Sequence, residues 1–218
     1  ALSPKYPVVV ANPPYMGGKG MNGDLASFAR REFADSKADL YAMFMERALM
    51  LTTSKGMMSM INMQSWMFLS SFEKLRGKLL RNATLLSMAH LGERGFDTIG
   101  GAVVSTTAFV FQNARHSSFA GTYVRLVDGS SEEEKAMLFR EAVNGTRSDL
   151  VFVAPGNEFE AIPGSPFAYW LTPKMVNNFD KPPLADEATF RAGLQTGDND
   201  RFLRFWHEVS SDTFRTGC

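Results

Sequence analysis

The sequence predicts an α/β fold, and three observations carry that prediction. Short apolar or β-branched runs alternate with segments of helical apolar spacing between residues 8 and 111. The first of these runs is closed abruptly by two prolines, Pro13 and Pro14. The chain has 218 residues, 44% of them hydrophobic, which is enough to bury a core. No apolar run nears the ~20 residues that a bilayer span needs, so a membrane partner is not expected.

Each element follows from local chemistry. Residues 8–11, Val-Val-Val-Ala, form a buried strand that must stop at Asn12-Pro13-Pro14, because proline cannot donate to a ladder. A glycine-rich loop covers 16–22. Between 39 and 51 the apolar residues Leu40, Met43, Phe44, Ala48 and Leu51 share one helical face, and Lys55-Gly56 reads as the helix stop. Strands are expected at 57–63, 85–91 and 103–111, with an amphipathic helix over 72–80. After Gln112 the pattern gives a strand at 123–127, a surface helix over 131–143 and a strand at 150–153. Ser130 or Ser131 starts that helix, and the run Glu132-Glu133-Glu134 suits its positive end. The stretch 155–183 is dense in proline and glycine and is expected to wrap or link.

Composition removes several function classes. Lys plus Arg and Asp plus Glu are both 23, so any nucleic-acid contact must use local patches. The single cysteine, Cys218, rules out an internal disulfide framework and fits a reducing, cytoplasmic setting. His90, His116 and His207 lack acidic or cysteine neighbours at ligand spacing, so no metal site is read. Neither a nucleophile elbow nor a P-loop is present. Gly18, Gly20 and Gly23 spell a formal dinucleotide fingerprint, but it does not abut its strand as that motif requires. The loop reads instead as a mobile element with Lys19 near phosphate, or as a plain solvated loop.

The informative signal is Asn12-Pro13-Pro14-Tyr15 at the C-terminal end of an apolar strand, where open α/β sheets bind ligands. It resembles motif IV of amino-group methyltransferases that use S-adenosylmethionine, above all the adenine-N6 DNA methyltransferases. The resemblance implies that the Asn12 side-chain oxygen and the Pro13 carbonyl accept the two N6 hydrogens, with Pro14 helping to hold that carbonyl. It also implies that Tyr15 stacks on a base taken out of the duplex. The stretch 96–111 resembles motif VIII and its following strand, which would make Phe96 a second aromatic wall. Read alone, a phenylalanine before a strand is more often core.

Residues 193–209, including Gly197-Asp198-Asn199-Asp200, Arg201, Arg204 and Trp206, look like the junction with a target-recognition region. Without the family, the Gly-Asp-Asn-Asp run is a turn and the arginines could line a solvated face. With Lys5-Tyr6-Pro7 and the loop after Tyr15, the chain resembles the BREX (phage growth limitation X) methyltransferases of bacterial phage defence. The resemblance implies the C-terminal half of a Rossmann-like S-adenosylmethionine-dependent methyltransferase fold, its last strand antiparallel to its neighbours, followed by the start of target recognition. The expected division is 1–115 catalytic, 116–192 connecting and 193–218 recognition.

The implied activity is site-specific adenine-N6 methylation of double-stranded DNA, with S-adenosylmethionine as cofactor and other phage-defence proteins as candidate partners. Lys19, Arg201 and Arg204 would touch DNA. Two rivals stay open: a non-catalytic DNA-binding or assembly module, and methylation of RNA adenine or of a protein glutamine. Both ends read as cut, and the family's upstream cofactor loop is not in the sequence. The chain is therefore expected to hold half a cofactor pocket and to be inactive alone.

Overall fold

The computed structural model describes residues 4–96, 104–183 and, singly, 186, 188 and 189. Residues 1–181 form one compact unit and 182–218 a second. Among the described residues, no helix is long and apolar enough to cross a membrane.

The first unit is built on a six-stranded sheet. Strand β1 (Tyr6–Ala11) is followed by helices α1 (Gly23–Glu32) and α2 (Leu40–Leu51), then by β2 (Thr52–Met63). Because β1 and β2 are parallel, with Val9 beside Met58 and Ala11 beside Met60, the chain must cross over, and both helices lie in that crossover. Helix α3 (Glu73–Asn82) leads to β3 (Thr84–Gly92), and β4 (Thr106–Gln112) inserts between β2 and β3, antiparallel to both. Strand β5 (Ala120–Arg125), helix α4 (Glu132–Val143) and strand β6 (Val151–Pro155) complete the order β1-β2-β4-β3-β5-β6. The short helices α5 (Gly156–Glu160) and α6 (Pro173–Val176) follow. An antiparallel strand between its neighbours is what the sequence resemblance implies.

Strand alternation builds the core on one face. Met58, Met60, Met88, Phe109, Phe111 and Tyr123 point inward and pack under α2, α3, Trp66 and Phe167. On the opposite face α4 covers the side of β3 and β5, where Ala142 and Leu138 meet Val124 and Leu126. The outer face of β1 and the start of β2 is bare, with Val8 58% exposed and Val10 71%, so β1 is an exposed edge strand and not the buried one expected from its apolar run: among the described residues only β2 pairs with it.

The elements depart from the sequence expectation at three further places, each with a physical reason. Lys55-Gly56 does not stop a helix; β2 begins directly at Thr52, and the pair forms a bulge that shifts the β1 register between Tyr6 and Val8. Lys55 has a positive φ of 64°, and a Cβ at Gly56 would stand 2.7 Å from the Pro7 carbonyl oxygen. A left-handed residue beside glycine serves a bulge as well as a helix end. Helix α1 was not expected, since it opens on glycine and buries little beyond Ala29; Asn22 caps it by accepting from the Leu25 N–H at 2.9 Å. Strand β5 starts earlier than the apolar pattern indicates, at Ala120, because its ladder with β6 includes Gly121 and Thr122.

The proline- and glycine-rich stretch after 155 is a structural strap. It delivers Phe159, Ile162, Phe167 and Tyr169 into the core. The sheet continues through β5 and β6, so the expected 115/116 division falls inside one compact unit. Part of the expected strand over 103–111 and the whole 193–209 junction lie outside the described residues.

Candidate active site

Strand β1 ends where its ladder runs out of donors. After Ala11 pairs with Met60, two prolines follow, and the chain leaves the sheet at its C-terminal rim. Pro13 is buried there while Asn12 and Pro14 are exposed and Tyr15 is half-buried. The Asn12 amide has no partner among the described residues, so its oxygen is available to a ligand.

Tyr15 is held by its surroundings. Its ring meets the Tyr41 ring edge-on, with centroids 6.0 Å apart and planes at 82°. The Tyr41 hydroxyl shares a 2.7 Å hydrogen bond with the Ser65 hydroxyl just beyond β2. Asp39 caps α2, and its Oδ1 accepts from both the Met16 N–H at 3.0 Å and the Tyr41 N–H at 3.3 Å. A backbone bridge joins Gly17 to Asp39, with the Leu40 N–H donating to the Met16 carbonyl at 3.0 Å and Gly18 N–H to the Ala38 carbonyl at 3.2 Å. The glycine-rich loop is thus tied down at both ends, by Asp39 and by the Asn22 cap. Lys19 is exposed on the turn between these anchors. Burial, and then the Asp39 carboxylate, push the Tyr15 phenol above its ordinary range, so it presents a neutral ring.

A polar row extends from this corner along the rim. Asn62 of β2 faces Thr107 of β4, Thr107 faces His90 of β3, and His90 faces Arg125 of β5. Asn62 is wholly buried, and neither its amide nitrogen nor its oxygen has a partner among the described residues. The His90 ring is clamped: Nε2–H donates to Gln64 Oε1 at 2.5 Å, so Nδ1 accepts from the Tyr169 hydroxyl at 2.9 Å. Trp170 stacks over His90, and the Arg125 guanidinium sits 5.3 Å from the Trp170 ring centre.

Burial, then Arg125 and Lys135, pull the His90 pKa down to about 4, so it is neutral in the folded state. In the unfolded chain it titrates near 6.5. Between those values the unfolded state binds the proton and the folded state does not, so stability falls as pH drops from about 6.5 towards 4. The expected loss is at most ~3 kcal/mol. Urea unfolding of the parent and of His90→Gln across that window checks it: the variant should have the shallower pH dependence, and equal slopes contradict the assignment.

The other sequence-derived residues are less closely gathered. Phe96 is half-buried beyond the end of β3, on the same rim. In the sheet order β3 stands three strands from β1, about 14 Å at ordinary strand spacing. No ring contact or hydrogen bond joins Phe96 to Asn12 or Tyr15 among the described residues. Arg201 and Arg204 lie outside the described residues. No group of three or more His, Cys, Asp or Glu able to hold a metal occurs among the described residues. Sequence reasoning missed Asp39, Tyr41, Ser65 and the His90 clamp. Only Asp39 carried a signal, as an aspartate directly before a helical run.

Residues 2–96 match the family model described as Eco57I restriction-modification methylase. The type I restriction-modification methyltransferase subunit from Streptococcus thermophilus superposes with a TM-score of 0.56 at 12% identity, over 76% of this chain and 38% of that one. The two chains therefore share a fold.

In sequence the chain is similar to two proteins described as adenine-specific methyltransferases, BrxX and PglX. It is 49% identical over 214 residues to BrxX of Escherichia coli O9:H4 (strain HS), covering 98% of this chain and 17% of BrxX. It is 44% identical over 211 residues to PglX of Lacticaseibacillus casei (strain Zhang), covering 96% and 18% respectively. The chain thus spans under a fifth of the length of these relatives. The resemblance read from 12–15 and the segments downstream is borne out.

Proposed function

We propose that this chain carries the methylation centre of a site-specific DNA adenine-N6 methyltransferase that works in bacterial phage defence. The observation that carries the reading is Asn12-Pro13-Pro14-Tyr15 at the C-terminal end of β1, with the Asn12 amide unpaired at the rim and Pro13 buried. An exocyclic amine is a poor nucleophile because its lone pair is delocalised into the ring. Two fixed oxygen acceptors, on Asn12 and on the Pro13 carbonyl, favour a pyramidal nitrogen with its lone pair free. Catalysis is then positioning and electrostatics, with no covalent intermediate on the protein.

Uncharged oxygen acceptors beside an aromatic ring also suit a cationic methyl donor. S-adenosylmethionine supplies the activated methyl group, and the end of β1 at Asn12 and Pro13 is where this chain would meet it. Tyr15 stacks on the extruded adenine; Phe96, on the same rim, serves as the second wall. Lys19 contacts phosphate, as do Arg201 and Arg204 in the recognition segment 193–218, with 1–115 catalytic and 116–192 connecting. The cytoplasm is the setting, with double-stranded DNA as substrate and other defence proteins as partners.

The test uses the full-length protein, DNA from a strain that lacks it, and S-adenosylmethionine carrying a deuterated methyl group. Mass spectrometry of the digested DNA should find the label in N6-methyldeoxyadenosine. Label only in RNA or in protein glutamine selects a different substrate class. Salt-sensitive DNA binding with no label, and no response to S-adenosylmethionine, points to a binding or assembly module.

A further inference from the structure

We propose that Asp39 is the positioning residue of the methylation loop, fixing the chain that leaves Tyr15 to the start of α2 through one shared carboxylate oxygen. The proposal rests on the function proposed above. Oδ1 has two duties: it accepts the Tyr41 N–H, which caps α2, and the Met16 N–H, which immediately follows Tyr15. An ordinary capping aspartate needs only the first. The second reaches across 23 residues of sequence to the loop that begins at Asn12.

The surrounding contacts give that link a direction. The bridge between Gly17 and Asp39 lays the backbone of the loop antiparallel against the entry of α2, so displacing one displaces the other. Tyr41, the second residue held by Asp39, presents its ring edge to Tyr15 and anchors its own hydroxyl on Ser65. Met16 N–H, Tyr15 ring and Tyr41 ring therefore form one closed loop of contacts with Asp39 at its origin. The Asn12 side chain has no hydrogen bond among the described residues, so its aim depends on the peptide segment in which it sits. Losing the Met16 link frees that segment on its C-terminal side, and a small misplacement of a reacting group costs rate out of proportion to its size.

The two duties can be separated by side-chain length. Serine is as good a helix cap as aspartate, but it is one atom shorter and cannot span to Met16 as well. Asparagine keeps both the length and the acceptor oxygen. In the full-length protein, Asp39→Ser is expected to melt within a few degrees of the parent and to keep its KM for S-adenosylmethionine within about threefold, while kcat falls on the order of tenfold or more. Asp39→Asn should restore kcat to within about threefold of the parent. Deuterium uptake at the Met16 amide reads the link independently of turnover: slow in the parent and in Asp39→Asn, fast in Asp39→Ser.

Full kcat in Asp39→Ser, or unchanged exchange at Met16, overturns the proposal, as does a kcat loss that follows a falling melting temperature. If the serine variant does not fold, exchange in Asp39→Asn decides alone: protection at Met16 equal to the parent supports the acceptor role, and its loss overturns it. If exchange behaves as expected but no variant, nor the parent, methylates DNA, the positioning role stands and the proposed function fails.

Discussion

Asn12→Ala in the full-length protein is expected to reduce the methyl-transfer rate by about 10²- to 10³-fold, the usual consequence of removing one preorganised acceptor or donor at a reacting centre. The same change should leave stability within about 0.5 kcal/mol, since an exposed side chain without internal partners contributes little to folding. Single-turnover transfer of labelled methyl under saturating cofactor and DNA measures the first, and a thermal melt measures the second. Asn12→Asp retains an acceptor oxygen and should lose less rate than alanine. Unchanged genomic methylation in cells carrying only Asn12→Ala contradicts a catalytic role for this strand end.

The second large effect is structural. Arg76 of α3 is 2% exposed, and its guanidinium donates to three backbone carbonyls. Nε and Nη2 reach Gly164 at 2.9 and 2.7 Å, while Nη1 reaches Trp66 at 3.0 Å and Leu69 at 2.7 Å. One planar fork therefore ties the turns after β2 to the strap that carries Phe167 and Tyr169 into the core. Arg76→Ala leaves those carbonyls without their donor in a buried setting and opens a cavity, at a cost of about 3–5 kcal/mol. Lysine is not expected to rescue it, because a single ammonium cannot serve three carbonyls in a plane. The urea midpoint should fall sharply. Limited proteolysis should become faster around residues 163–172. A midpoint that hardly moves contradicts this account of the strap.

Local chemistry made much of this fold legible, and distance hid the rest. Val8 to Ala11 followed by two prolines names both a strand and its end, because the missing N–H groups act at that position whatever surrounds it. Ser131 before three glutamates marks the start of α4 in the same way, and the Ser131 hydroxyl does accept the Glu134 N–H at 3.1 Å. Lys55-Gly56 was legible only as a place for unusual backbone. Whether that place is a helix end or a bulge is decided by β1, which lies against it. The strap's role was not legible, since its alternating apolar residues gain meaning only beside Arg76, Trp66 and His90. At the site, the resemblance supplied Asn12 to Tyr15, whereas Asp39 and Tyr41 hold that loop through contacts that no linear motif records.

The placement of β4 sets an order for assembly. During synthesis β1, α1, α2 and β2 emerge before α3 and β3, yet one edge of β2 is closed only by β4, after both of those have been made. Strand β4 then closes β2 and β3 together, laying Phe109 and Phe111 against Trp66 in the same event. Until residues 106–112 leave the ribosome, β2 keeps an open hydrogen-bonding edge and the aromatic core has no centre. Such non-local closure is slow, and it makes this segment of the chain a client for whatever shields nascent strands from pairing with their neighbours.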